Sequence, residues 1–231
     1  MKLLALDTSA DACSVALLDG DDLSGQFRVE PRGHTRLIMP MVRQVLAEQG
    51  VAVSELDALA FAAGPGSFTG LRIATGVIQG LAWGLDIPVV PVSSLQAVAL
   101  AVAEQKAAEE GDGIAVAFDA RMDEVYWGCY QMRAGLPQPL APERVCAPEQ
   151  VSLPKPLAQW LAGGSGWRYA DRMPEIVTRE CHSPVTDLSP DARHVARLAR
   201  DAWARGATVT AAEAQPVYLR DEVTWKKLPG R

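Results

Sequence analysis

The sequence predicts an α/β protein made of two similar lobes. Three observations indicate this: short apolar runs open the chain, a strand-loop-helix-strand unit follows, and a second set of strands begins near residue 114. A chain of 231 residues, 48% of them hydrophobic and 22% charged, is long enough for two small globular lobes. We expect lobes at 1–107 and 108–231, with a late helix or the tail packing back on the first lobe.

The start of the chain predicts a three-stranded antiparallel meander, because apolar or alternating runs are separated by short polar turns. The predicted strands are residues 2–8, 12–19 and 22–29. From 35 to 49, apolar side chains recur at helical spacing until Gly50 ends the pattern. Pro40, which lacks a backbone N–H, is placed to kink this helix early.

A crossover unit follows the first helix. A strand over 56–63 leads into the loop 64–70, then a helix to about Trp83 and a strand over 87–92. Two strands joined by a helix are expected to be parallel. An alanine-rich helix over 93–110, capped by Ser93 or Ser94, is then predicted to cross to the second lobe.

A second set of strands is predicted after Gly111. Residues 114–118 and 124–131 read as a hairpin, 135–156 as a proline-rich irregular stretch, and 190–204 as a helix with Ser189 at its start. A meander, a crossover and a second meander match the duplicated actin-like (ASKHA) fold, in which each lobe has a ribonuclease-H-like meander plus a β-α-β unit. The sequence therefore predicts this architecture.

Two polar segments could bind a nucleotide. The first strand ends on short polar residues, which face phosphate and Mg²⁺ in actin-like ATPases but also often bond nearby backbone amides in a plain turn. The glycine-rich loop leads into a helix N-terminus, which favours anions, although it equally suits a tight turn packing helix on sheet. The nucleotide candidates are Asp7, Thr8, Ser9, Gly64, Gly66 and Ser67. The stretch 163–166 could contact adenine or ribose, but a plain loop is favoured.

A row of glycines marks the second helix as a candidate interface. Gly76, Gly80 and Gly84 lie on one face, and each costs about 1 kcal/mol relative to alanine inside a helix. Another backbone is therefore expected to come close, either the chain's own sheet or a neighbouring subunit. The apolar residues between the glycines are too many for one buried face, which favours a subunit, with helix 35–49 alongside. The predicted partner-binding residues are Leu37, Met41, Val45, Ile73, Gly76, Val77, Gly80 and Gly84.

Several other kinds of site are disfavoured. The four cysteines are widely spaced without a C-x-x-C pair, so free buried thiols are expected. The three histidines are too scattered for a metal site, and no triad pattern is present. A net charge of −6 gives no global attraction for phosphates, so a partner is expected to hold any RNA. The first residues offer neither a secretory nor a membrane segment, and we expect a cytoplasmic protein without membrane contact.

A set of motifs covering nearly the whole chain resembles the TsaB (YeaZ) family, which is similar to TsaD, the former glycoprotease family. The motifs are Leu4–Ser9, Cys13–Ala16, Pro31–Thr35, Gly64–Ile73, Phe118–Tyr126 and Pro216–Arg220. TsaD carries a His-x-x-x-His metal motif where this chain has Ser94 and Val98, and a glycine pair for phosphate where it has 119–121. Both departures imply that this chain is not the catalyst.

The resemblance implies that separate proteins carry out catalysis and support it. TsaD transfers a threonylcarbamoyl group to N6 of adenosine 37 in tRNAs reading codons that begin with A. TsaB binds and supports TsaD, the ATPase TsaE joins them, and TsaB alone forms a homodimer. Helices matching 35–49 and 71–84 make these contacts in the family.

The resemblance also implies that tRNA meets this chain only through the complex. No cofactor is required by the chain itself, although ATP or ADP can enter the complex. Two rival readings stay open: an actin-like enzyme, either a metallopeptidase or a small-molecule kinase, and a homodimeric nucleotide-binding regulator. The sequence does not decide whether Trp225, Lys226 and Lys227 in the tail contact tRNA.

Overall fold

The structure, a computed structural model, describes residues 1–220 of the 231. The tail residues Trp225, Lys226 and Lys227 lie outside the described residues. Within 1–220, no helix is long and apolar enough to cross a membrane.

The first sheet contains the predicted meander and crossover. Its elements are β1 Lys2–Asp7, β2 Ala12–Asp19, β3 Asp22–Val29, α1 His34–Glu48, β4 Ala58–Gly64, α2 Phe68–Leu85, β5 Val89–Ser93 and α3 Ser94–Gln105. The strand order is β3-β2-β1-β4-β5, with β1, β2 and β3 antiparallel and β1, β4 and β5 parallel. Successive residues of β1 point to opposite faces, so Leu4 and Leu6 pack under α1 and α2, while Leu3 and Ala5 pack under α3 and the late helix Ala192–Ala204.

The second sheet repeats the first. The elements that follow α3 are β6 Gly113–Arg121, β7 Glu124–Arg133, β8 Leu136–Pro139, β9 Arg144–Cys146, β10 Trp160–Gly163, α4 Glu175–Glu180 and α5 Ala192–Ala204. The strand order is β10-β6-β7-β8, with β6, β7 and β8 antiparallel and β10 parallel to β6, while β9 pairs with β7. Strands β6, β7, β8 and β10 thus take the places of β1, β2, β3 and β4, which confirms the duplicated actin-like fold.

Helix α3 lies between the two sheets. Ala97 and Leu100 contact the first-sheet core, and Val98 and Val102 contact the core of the second. Because the helix is buried on all sides, its sequence is apolar all round and shows little amphipathic pattern. Helix α5 packs on the first sheet beside α3, although it follows the second sheet in sequence.

Several predicted boundaries differ from the structure. Helix α5 begins at Ala192 rather than at residue 190, because the Asp191 side chain caps it by accepting from the Arg193 amide. Helix α3 ends at Gln105, five residues early, and α2 continues to Leu85. The stretch predicted to be irregular contains β8 and β9. Helix α1 runs through Pro40 as one element.

The chain after α5 runs back over the first lobe. Residues 207–220, here called the closing segment, pair with the sheet edge where the Val89 amide donates to Val209 oxygen at 2.9 Å. The segment then crosses α2, where Gln79 donates to the Ala214 carbonyl at 3.0 Å. It reaches the end of β4, where the Val217 amide donates to Ala63 oxygen at 2.7 Å.

Candidate functional site

The first turn and the glycine loop are bonded to each other. The Thr8 hydroxyl donates to the Gly70 carbonyl at 2.7 Å, and the Ser67 amide donates to the Ser9 carbonyl at 2.7 Å. Ser67 also caps α2, since its hydroxyl accepts from the Gly70 amide at 3.3 Å. Several polar groups proposed for a nucleotide are therefore engaged within the chain.

The glycines of this loop make room for the chain's own backbone. A Cβ at Gly66 would overlap the Ser9 carbonyl, and a Cβ at Gly70 would overlap that of Thr8. Gly64 has a φ of +120°, and a Cβ there would lie 2.6 Å from the Val217 oxygen. The loop thus packs between the first turn and the closing segment. That nucleotide binds at these residues stays a prediction.

Asp7 is fully buried at the end of β1. Its Oδ1 accepts from the Ser9 amide at 3.0 Å, while its Oδ2 has no hydrogen-bond partner among residues 1–220. Burial raises the pKa of Asp7 to about 7, against the lowering effect of the Ser9 hydrogen bonds, and nearby Asp191 raises it further. Asp7 therefore carries its charge only in part at neutral pH.

The positions matching the TsaD metal motif lie in the core. Ser94 and Val98 are both fully buried at the start of α3, and valine has no donor atom. Among the residues described, no group of three or more His, Cys, Asp or Glu side chains could hold a metal ion. His34 lies elsewhere, with Nε2 2.8 Å from the Ala10 carbonyl. The four cysteines are free and buried, as predicted.

The tip of the β6–β7 hairpin in the second lobe is held by local contacts. Asp119 accepts from the Arg121 amide at 2.9 Å and pairs with Arg168 at 3.2 Å. The predicted loop at 163–166 packs against the same strand, because a Cβ at Gly166 would lie 2.8 Å from the Ala117 carbonyl carbon. Arg121, on this tip, has a positive φ of 63°. The glycines here serve packing between β6 and its neighbours.

The glycine face of α2 is open. Apart from the neighbouring backbone of α2 itself, nothing in residues 1–220 lies within 4 Å of a Cβ built at Gly76, Gly80 or Gly84, so these glycines are not explained by packing against other elements of the chain. The predicted partner-binding residues Ile73 and Val77 are half-buried beside this face, against the first-lobe core. Glycine at these positions leaves α2 backbone accessible to another molecule.

The three α1 residues predicted to bind a partner lie instead in the chain's own core. Leu37, Met41 and Val45 are buried against the first sheet. Their side chains are not available on the surface, so the apolar stripe of α1 is the face that anchors the helix. The exposed side of α1 is formed by other residues, including Arg36, Pro40, Arg43, Gln44 and Ala47.

Two features of the structure are not predicted by the sequence. Trp83, which the sequence marks only as the approximate end of a helix, is exposed at the end of the glycine face. The closing segment connects the lobes: Tyr218 stacks on Phe68 with ring centroids 5.6 Å apart, and Arg220 pairs with Glu124. These contacts join residues more than 90 positions apart, so no local pattern could have indicated them.

Comparison with known proteins identifies the family. Residues 28–221 match the family described as TsaD, tRNA N6-adenosine threonylcarbamoyltransferase. The chain is 40% identical to the Haemophilus influenzae tRNA threonylcarbamoyladenosine biosynthesis protein TsaB, covering all of this chain and 98% of that protein. The Escherichia coli protein of the same name is 39% identical over the whole of both chains. The solved structure of YeaZ from Pseudomonas aeruginosa superposes with a TM-score of 0.89, at 47% identity over 94% of this chain and 99% of that one. The chain therefore belongs to the TsaB (YeaZ) family, within the wider TsaD family.

Proposed function

We propose that this chain is a non-catalytic partner subunit in the biosynthesis of threonylcarbamoyladenosine in tRNA. It binds and supports a TsaD catalytic subunit, which transfers the threonylcarbamoyl group to N6 of adenosine 37 in tRNAs reading codons that begin with A. The observation that carries the proposal is the open glycine face of α2. A helix keeps three costly glycines on an exposed face when another backbone packs there.

Two features support a non-catalytic role. The positions of the TsaD metal ligands hold buried Ser94 and Val98, which leave no donor pair. The glycine loop is packed on the first turn through Gly66 and Gly70, where a ligand phosphate would otherwise need space. The residues that would carry catalysis in a relative thus serve packing in this chain.

The partner surface consists of the glycine face together with the exposed side of α1. Gly76 and Gly80 let a partner helix approach the α2 backbone, and Arg36 and Arg43 lie on the neighbouring helix. We propose that the same surface pairs two copies when the chain is alone, and that the TsaE ATPase joins the assembled pair. In this proposal tRNA is held through the complex in the cytoplasm. The chain itself requires no cofactor, although ATP or ADP can enter the complex.

Reconstitution tests this function. Purified chain, TsaD, TsaE, a threonylcarbamoyl-AMP-forming enzyme and unmodified tRNA are mixed, and modified adenosine is measured by mass spectrometry. We expect modification to require this chain, and the chain without TsaD to give none. Modification that proceeds equally well without the chain would rule out the supporting role. Modification by the chain without TsaD would show that it is a catalyst.

A further inference from the structure

A groove runs beside the glycine face, between the C-terminal half of α2 and the closing segment. Its smaller part, about 430 Å³, has Gly76 and Gly80 along one side and Ala211 and Ala212 along the other. Its larger part, about 590 Å³, continues past the end of α2 toward Asp86 and Glu213. Trp83 lines both parts, so the two form one continuous surface feature.

Trp83 is the most exposed large apolar residue among those described. Its side chain is 77% exposed, although an indole is among the side chains that gain most from burial. Exposed tryptophan is typical of binding hot spots, and its ring face attracts cations more strongly than other aromatic faces do. The indole is thus available to a side chain entering the groove.

The charged lining of the larger part is acidic. Asp86 and Glu213 line it, and no described lining residue is basic. Glu213 is held in place because its Oε2 accepts from the Thr210 amide at 3.0 Å and from the Thr210 hydroxyl at 2.9 Å. These hydrogen bonds lower the pKa of Glu213, so the carboxylate stays ionised at neutral pH.

We infer that the groove receives a lysine or arginine side chain of the partner subunit, with its cation on the face of Trp83 and its charge met by Asp86 and Glu213. This inference rests on the proposed function, because the groove shares Gly76 and Gly80 with the open face on which that partner packs. An aromatic face flanked by carboxylates is complementary to a cation on a mostly apolar stem. A neutral apolar side chain would leave both carboxylates facing it without compensation.

The test compares dissociation constants for purified TsaD by calorimetry at low and at high salt. Trp83→Leu keeps apolar bulk but removes the ring, whereas Trp83→Phe keeps a ring face. Asp86→Asn and Glu213→Gln remove one charge each with little change in shape. Asp22→Asn is the matched control, since Asp22 is exposed on β3 at the opposite edge of the first sheet.

We expect Trp83→Leu to raise Kd about tenfold and Trp83→Phe about twofold. Asp86→Asn and Glu213→Gln should each raise Kd about threefold at low salt and less at high salt, with Asp22→Asn unchanged. Equal losses for the two Trp83 variants, or no change for the two charge variants, would overturn the inference and leave the proposed function standing. If the wild-type chain does not bind TsaD, the proposed function fails and this inference fails with it.

Discussion

The hydroxyl of Thr8 donates a hydrogen bond across 2.7 Å to the carbonyl oxygen of Gly70, joining the turn after β1 to the first turn of α2. The approach is so close that a Cβ at Gly70 would overlap the Thr8 carbonyl. Glycine at position 70 is therefore required by the fold itself. Gly80, ten residues later on the same helix, has open space around it, so two glycines of one helix have opposite roles.

Alanine substitutions should separate these roles. Gly70→Ala forces the turn and helix apart, and we expect it to lower the free energy of unfolding by about 2 to 3 kcal/mol. Gly80→Ala meets no atoms beyond the backbone of α2 itself and improves helix propensity, so it should raise the free energy of unfolding by about 0.5 to 1 kcal/mol. Urea denaturation followed by circular dichroism measures both. A Gly70→Ala protein as stable as wild type would contradict the packing role of this loop.

A bulky residue on the glycine face should block the partner without harming the fold. Gly80→Leu, and likewise Gly76→Leu, places a side chain where a partner helix would contact backbone, so binding to TsaD should fall below detection by calorimetry. The free energy of unfolding should stay at or above that of wild type, because the position is open. Arg179→Leu, on an exposed position of α4 in the second lobe, is the control and should bind normally. Normal binding by Gly80→Leu would show that the partner contacts another surface.

Substitutions on the buried face of α1 should lower stability and leave partner binding unchanged. Met41 lies on the buried face of α1, so Met41→Ala leaves a cavity and should lower the free energy of unfolding by about 3 kcal/mol. At temperatures where the variant is still folded, its affinity for TsaD should be close to that of wild type. Arg179→Ala, at an exposed position of α4 outside the proposed partner surface, is the control and should change neither stability nor affinity. If Met41→Ala instead lost much of its affinity for TsaD with unchanged stability, Met41 would belong to the partner surface.

Periodicity located α1 and the first sheet well because burial on one face leaves a repeating apolar pattern in sequence. The same pattern does not indicate what buries that face: it predicts that Leu37 contacts a partner, whereas Leu37 packs in the chain's own core. Glycine spacing marked Gly76 and Gly80, but only the structure shows the space around them. The groove lined by Trp83 and Glu213 joins segments 130 residues apart, a distance that local patterns do not span.

The buried carboxyl of Asp7 gives stability a pH dependence with a definite sign. Burial raises the folded-state pKa to about 7 from an ordinary value of 3.8, so the folded chain binds a proton more tightly than the unfolded chain does. The stability that protonation of Asp7 contributes is fully present below pH 3.8 and is lost as pH rises to about 7. The total, at 1.36 kcal/mol for each pKa unit, is about 4 kcal/mol.

Asp7→Asn isolates this contribution, because asparagine matches the neutral carboxyl in shape and cannot ionise. Relative to wild type, the variant should have a similar free energy of unfolding near pH 4 and a higher one by about 4 kcal/mol at pH 8. Urea denaturation of both proteins at unit pH steps gives the difference, and other carboxyl groups cancel because both proteins share them. Asp22→Asn, at an exposed carboxyl, should show no such divergence. If the difference in free energy of unfolding between the two proteins stayed constant from pH 4 to pH 8, Asp7 would be charged in the folded chain and paired with a group that compensates its burial.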